Sequence, residues 1–308
     1  MNRPKKGSAF PFPPAHSRSK VPQPFSRILG VQTVPIRLSP SRRPLFALAL
    51  AAGLAAGTPA ATAAEIVDQQ LERPPGTTPS ASGWDVTLGL GGGYAPKFEG
   101  ASRYHAVPIP YASISYAGVG SVGPEGFNAN VIRSGGFRAG LLVGYSGGRD
   151  QSDDPHLHGL GDIEASVQMG GYLAYQWNAF EVRAAVRQAV THSGNGLDGT
   201  LGATYTLKPT DAWTVKAGPQ LVFADSDYMK KYFGVTAVQS RNSGLREYRA
   251  SGGLKDVAFG VNSTYRLSQH WMMFGVAKLS EIVGDAADSP IVQTKEQAFA
   301  GAGLAYHF

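Results

Sequence analysis

From residue 84 onward, apolar and polar residues alternate along the chain with a period of two. Between Ile163 and Trp177 one face carries Ile163, Ala165, Val167, Met169, Gly171, Leu173, Tyr175 and Trp177. The other carries Asp162, Glu164, Ser166, Gln168, Gly170, Tyr172, Ala174 and Gln176. The pattern returns over Phe180–Arg187, Trp213–Phe223, Val257–Leu267 and Trp84–Leu90. A period of two belongs to a strand whose two faces meet different surroundings. Most of these runs extend over 11–16 residues, whereas strands of soluble sheets run to about 5–6. A strand tilted across a bilayer needs about 9–11. Aromatic residues gather towards the segment ends (Trp84, Tyr94, Tyr175, Trp177, Phe180, Trp213, Phe223, Trp271, Tyr306, Phe308), where the interfacial girdles of a membrane barrel lie. The polar faces hold charges and much Gly, which suits a hydrated lumen better than a dry core.

The connections form a second pattern. They are very short around Trp177-Asn178, Lys208–Asp211 and Ser268–His270, and longer at Gly147–Gly161, Ser193–Gly196, Asp225–Gly253 and Ile282–Glu296. Short periplasmic turns alternating with longer extracellular loops are the habit of outer-membrane barrels. With both termini periplasmic, the spans number ten. If Gly123-Pro124-Glu125-Gly126 is an outer hairpin turn flanked by two short strands, they number twelve. The expected fold is therefore an all-β, transmembrane antiparallel barrel over residues 84–308, of about twelve strands, with ten as the alternative.

Composition separates the chain into two parts. There are 28 Lys+Arg against 22 Asp+Glu, a formal net charge of +6 that by itself would suggest an anionic partner. Nine of the basic residues and none of the acidic ones lie in residues 1–64, which leaves 19 against 22 in the remainder, a net charge of −3. Within the basic part, Arg42-Arg43, the apolar run at 45–56 and the Ala61-Thr62-Ala63 triplet have the form of a cleaved secretory signal. Residues 1–64 are thus expected to be an N-terminal extension plus signal peptide, and 65–83 a short periplasmic linker. The Pro-rich stretch ahead of the Arg pair is unlike a signal, so translation is expected to begin nearer that pair. The absence of Cys excludes disulfides, Cys-ligated zinc and thiol catalysis. An exported chain meets no nucleic acid, and none is expected as a partner.

The last residues, Ala298, Ala300, Ala302, Leu304, Tyr306 and Phe308, share one strand face. Terminal Phe308 with Tyr306 two before it is similar to the signal read by barrel-assembly machinery. Further segments, Gly91–Gly100 (GGGYAPKFEG), His156–Ile163 (HLHGLGDI), Asp225–Val235 (DSDYMKKYFGV), Ser243–Val257 (SGLREYRASGGLKDV) and Gly284–Val292 (GDAADSPIV), resemble the MipA/OmpV family, named for MltA-interacting protein. The resemblance implies a barrel in the outer membrane of a Gram-negative bacterium, among outer-membrane lipid and lipopolysaccharide. It implies a scaffold that holds a lytic transglycosylase with a penicillin-binding protein in cell-wall assembly, without catalytic residues or cofactor. Other members have been viewed as surface adhesins or as routes for small solutes, so a narrow porin-like channel stands as the alternative. The long-loop motif carried by the family comprises Tyr228, Tyr232, Phe233 and Gly234.

Candidate chemistry is sparse. His192 beside Ser193 gives a weak hint of a lipid-modifying acyl hydrolase, since a base must reach its hydroxyl. Neighbours on a strand point to opposite faces, and Ser-Gly-Asn-Gly reads as a turn. His156 and His158 behind Asp153 and Asp154 form an acidic loop for which a metal is considered and solvation preferred. Glu164, Glu181, Arg183, Arg187 and Lys216 fall on polar faces and are expected to meet across the lumen. There they would fill a narrow barrel or line a selective pore, because unpaired charges in a narrow interior are costly. The Asp225–Gly253 loop mixes Tyr228, Tyr232, Phe233 and Tyr248 with Lys230, Lys231, Arg241, Arg246 and Arg249. It is expected to fold inward and cap the barrel, with contact to lipopolysaccharide or a protein as alternatives.

Overall fold

The computed structural model describes residues 83–117, 119–123 and 126–308. The expected signal peptide and linker up to residue 82 lie outside them, as do Pro124 and Glu125 of the expected hairpin turn. Twelve strands follow one another: β1 (Trp84–Pro96), β2 (Tyr104–Tyr116), β3 (Gly120–Gly123), β4 (Gly126–Ser134), β5 (Phe137–Ser146), β6 (Ser166–Trp177), β7 (Phe180–Ala189), β8 (Leu197–Thr210), β9 (Trp213–Ala224), β10 (Gly253–Arg266), β11 (Trp271–Ile282) and β12 (Glu296–His307). Each pairs antiparallel with its neighbours, and β1 closes on β12 with Leu88 opposite Tyr306. The barrel has twelve strands, not ten.

Alternation places large aliphatic side chains on the outside of the wall. Leu88, Leu90, Leu141, Leu173, Val182, Val186, Leu279 and Leu304 are exposed around its circumference. So much uncovered apolar surface fits lipid rather than water. Trp177, Phe180, Trp213, Trp271 and Phe308 are exposed at the end that carries both barrel termini and the short turns. Trp84 packs on Tyr116, and Phe180 on Tyr205, with ring centroids 4.8 and 4.6 Å apart. This is the girdle at the periplasmic interface.

The lumen differs from the expected hydrated interior. Over the inner part of β2 and β11 a run of inward positions is apolar: Val107, Ile109 and Tyr111 face Met272, Phe274 and Val276, joined by Phe299 and Ala305 from β12. Ile109 is 2% exposed and Phe274 1%, so this side of the lumen is a packed core. The inward glycines of β12 make room for it. A Cβ at Gly301 would sit 2.3 Å from Cδ1 of Ile109, and one at Gly303 would sit 2.4 Å from Cζ of Phe274. The bulk that β12 lacks is supplied by Phe274 of the adjoining β11 and by Ile109 of β2, one strand beyond β1.

One stretch of wall is incomplete among the described residues. β3 is four residues long and pairs with β2 only over Ile114–Tyr116. The outer half of β2, from Tyr104 to Ser113, is hydrogen-bonded on its β1 side alone. The carbonyl of Tyr116 accepts from Val119, on the β3 side, so by strand parity the even-numbered residues of β2 direct their backbone groups to that side. Pro108 and Pro110 are even. Their missing N–H groups therefore fall on the open edge, the location where a sheet tolerates proline and where proline blocks unwanted pairing.

Candidate functional site

The extracellular loops converge over the lumen and form a cap. In the β9–β10 loop, α1 (Ser226–Phe233) starts at Asp225, whose carboxylate accepts from the N–H of Tyr228 at 2.8 Å. α2 (Ala237–Ser243) starts in a capping box between Thr236 and Gln239 and ends at Gly244 in the left-handed conformation. A short helix in the β11–β12 loop, α3 (Gly284–Ala287), lies against them: Met229, Phe233, Ile282 and Ala286 form one buried cluster. A second cluster joins Phe98, Ala101, Leu157, Leu160, Val235 and Ile291. Residues from four separate loops thus share one small core, and the cap is an ordered layer. The expectation that the long loop folds over the barrel agrees with this arrangement.

Beneath the cap lies a cavity of about 490 Å³. Its roof comes from Tyr228, Tyr232 and Phe233, and its walls from inward positions such as His105, Gln168, Asp198 and Lys278. Tyr228 and Tyr232 stack one turn apart on α1, centroids 4.3 Å apart. The hydroxyl groups of Tyr232 and Ser146 lie 3.3 Å apart, linking the roof to β5. Ser289 Oγ donates to the carbonyl of Phe233 at 2.6 Å. At Gly234 a Cβ would lie 2.3 Å from the carbonyl oxygen of Lys230, so a larger residue would push the chain away from the helix end.

Charged groups line this chamber. Arg149 is 7% exposed, and its Nη1 donates to the carbonyl of Tyr232 at 2.8 Å, while Nε has no partner. Burial lowers its pKa to about 10, with opposing help from Tyr232, Tyr228, Asp153 and Glu99. Lys255 pairs with Glu99 at 2.5 Å and lies 5.2 Å from the Tyr228 ring centroid. Lys97 donates to the carbonyl of Asp153 at 2.9 Å. At the loop periphery, Asp154 is fully buried and pairs with Arg103 at 2.5 Å. Burial alone would raise the Asp154 carboxyl, but Arg103 and the N–H of His156 outweigh it and hold the group below the ordinary range.

The five residues expected to meet across the lumen occupy separate places. Glu181 pairs with Arg138 of β5. Arg183 stacks over the Tyr172 ring, 4.2 Å from its centroid, and donates to Asn128 at 3.4 Å. Arg187 lies nearer the cap and pairs with Asp198 at 3.6 Å, which also accepts from Gln168 at 2.8 Å. Lys216 is inward on β9, opposite Asn262 in the register. Glu164 departs from the expectation. It precedes β6 in a loop, its side chain is 73% exposed, and it pairs with His192 at 2.7 Å. The alternation from Ile163 onward suggested an earlier strand start, but Ile163 forms only an isolated bridge with Arg149. Arg138, Asp198 and Gln168 are set beside these groups only by the strand register, and Lys255 and Arg149 meet Glu99 and Tyr232 only through the folding of the loops, so the sequence does not single them out.

The weaker candidates are also located. Nδ1 of His192 is 2.7 Å from the carbonyl of Ala165, and Nε2 faces Glu164. Both ring nitrogens are thus turned to the 164–165 segment rather than to Ser193. Nε2 of His156 is 3.0 Å from the carbonyl of Pro290, joining two loops. Tyr306 packs edge-on against Trp271 and Phe308, with centroids 5.2 and 4.9 Å away, and the N–H of Phe308 donates to Val86 at 3.0 Å.

Residues 88–308 match the family described as MltA-interacting protein MipA. The chain belongs to that family. Its relatives include the MltA-interacting protein of Escherichia coli K12, 21% identical over 157 residues that cover 51% of this chain and 62% of the relative. OmpV of Vibrio cholerae is 30% identical over 86 residues, covering 28% of this chain and 33% of the relative. The chain thus spans less than two thirds of the curated relatives it matches. Among solved structures it is similar to OprB of Pseudomonas putida, with a TM-score of 0.36, 9% identity, and coverage of 65% of this chain and 56% of that one. This family member is an outer-membrane β-barrel of the Gram-negative type.

Proposed function

We propose that this MipA-family barrel acts as a scaffold in the outer membrane, holding a murein lytic transglycosylase and, through it, a penicillin-binding synthase. The observation that carries this reading is the crowding of part of the lumen by inward side chains. Ile109, Tyr111, Phe274 and Phe299 pack its interior on one side, and Tyr172 with Arg183, Arg138 and Glu181 fills the other. The loop cap lies over its outer end. A lumen crowded in this way favours a barrel that acts through its surfaces. The name of the Escherichia coli relative, an MltA-interacting protein, supports a transglycosylase as the partner on the periplasmic side. Mild crosslinking in native envelopes, followed by purification of the barrel, tests it. A lytic transglycosylase is expected in the crosslinked product, and its absence when the barrel is recovered intact would contradict the scaffold.

A second reading, a gated route for small solutes, draws on the chamber beneath the cap. Its polar lining suits a small molecule resting inside the barrel.

A further inference from the structure

The acidic groups of the chamber are already engaged. Glu99 pairs with Lys255, and Asp198 with Arg187 and Gln168. The carboxylate of Asp153 accepts from the N–H of Asp150 at 3.0 Å and supports Arg149 only from beyond ion-pair distance, and Asp256 has a partner of its own although its Oδ1 is buried without a hydrogen bond. Among the described residues, Arg149, Lys97 and Lys278 have no carboxylate at ion-pair distance, and all three line the chamber. For Arg149 this is costly. A buried guanidinium is ordinarily paired, because losing hydration without a counter-charge costs several kcal/mol. Its Nη1 is occupied by the Tyr232 carbonyl and its Nε is buried without a partner, which leaves Nη2 as the donor for a ligand. A guanidinium N–H makes a strong, charge-assisted hydrogen bond to an oxygen of a carboxylate or phosphate. His105 lines the same chamber, with its Nδ1 buried without a partner.

We infer that the chamber is a binding site for one small molecule bearing an oxyanion, a carboxylate or phosphate, held by Arg149 with Lys97 and Lys278 beneath the Tyr228–Tyr232 roof. A volume of about 490 Å³ is within the range of sites for drug-sized ligands. The incomplete wall gives the oxyanion two possible sources. His105 stands on the open edge of β2, and Tyr145 and Ser146 stand on β5 beyond the reach of β4; all three line the chamber. The oxyanion is therefore either a free solute entering from outside or the headgroup of a lipid entering through the wall. The site is independent of the scaffold reading, since it faces away from the periplasm.

The test uses the folded full chain in neutral detergent, its barrel verified by heat-modifiable migration. Calorimetry with phenyl phosphate is expected to give saturable one-to-one binding. Arg149→Gln should weaken it at least tenfold and Lys278→Gln severalfold, while Lys231→Gln, on the exposed outer surface of α1, leaves it unchanged. If phenyl phosphate does not bind, native mass spectrometry with dioleoyl phosphatidic acid supplies the lipid arm. One retained lipid per barrel, lost in Arg149→Gln, assigns the site to a lipid-borne phosphate. Should Arg149→Gln fail to fold, Lys278→Gln and Lys97→Gln carry the comparison in both arms. The inference is overturned if neither probe binds, or if binding is untouched by these substitutions.

Discussion

The pairing of Ile109 with Gly301 illustrates how a single missing side chain organises the lumen. Cδ1 of Ile109 occupies the position a Cβ on residue 301 would need, and the nearest backbone atoms are 3.2 Å away or more. The conflict created by a larger residue is therefore chiefly with the end of one side chain. Gly301→Ala is predicted to cost about 1–3 kcal/mol, the usual range for an overpacked core. Ile109→Val in the same chain removes that end and should restore most of the loss, a coupling expected of residues in contact. Urea midpoints of the heat-modifiable band check this. Equal instability of Gly301→Ala with and without Ile109→Val would mean that backbone, not Ile109, sets the limit. Arg149 and Glu164 show the opposite side of residue-scale reading. Neither environment was legible in the sequence, because burial of the first and exposure of the second depend on how loops fold over strand ends.

At the scale of elements, β2 was legible as a strand but not as an edge. Alternation and length identify it, whereas the meaning of Pro108 and Pro110 emerges only when β3 proves too short to cover it. The replacement Pro108→Thr with Pro110→Thr would add two N–H donors on the open edge. In a lipid-facing wall each unsatisfied donor costs several kcal/mol. The double variant is therefore predicted to lose its heat-modifiable fold at a lower temperature than the parent, or to pair edge to edge as a dimer seen in native mass spectrometry. A monomer of unchanged stability would show that the edge is covered. The remaining strands were readable because their outward positions are apolar on nearly every span, as at Leu173 and Tyr175 on β6 or Val182 and Val186 on β7. The cap was less readable. Its helices are short, and their burial comes from residues brought together from distant loops, such as Phe98 with Leu157 and Ile291.

For the molecule as a whole, the inward face decides the account. The alternation predicts a polar interior, and β7 provides one with Glu181, Arg183 and Arg187. β2 and β11 place Ile109, Tyr111 and Phe274 inward instead. A strand read alone cannot reveal which of its faces is turned inward, and only closure of the barrel with its register settles it. The result is a wall that meets lipid, a lumen packed on its β2–β11–β12 side, and a capped chamber that reaches down beside β8, β9 and β10. The most direct test is single-channel recording of the purified, folded barrel in planar bilayers. A lumen packed on one side and capped outside predicts no steady conductance above baseline after insertion is verified. Stable, ohmic current steps from the unmodified barrel would contradict it and move the account to the porin-like reading.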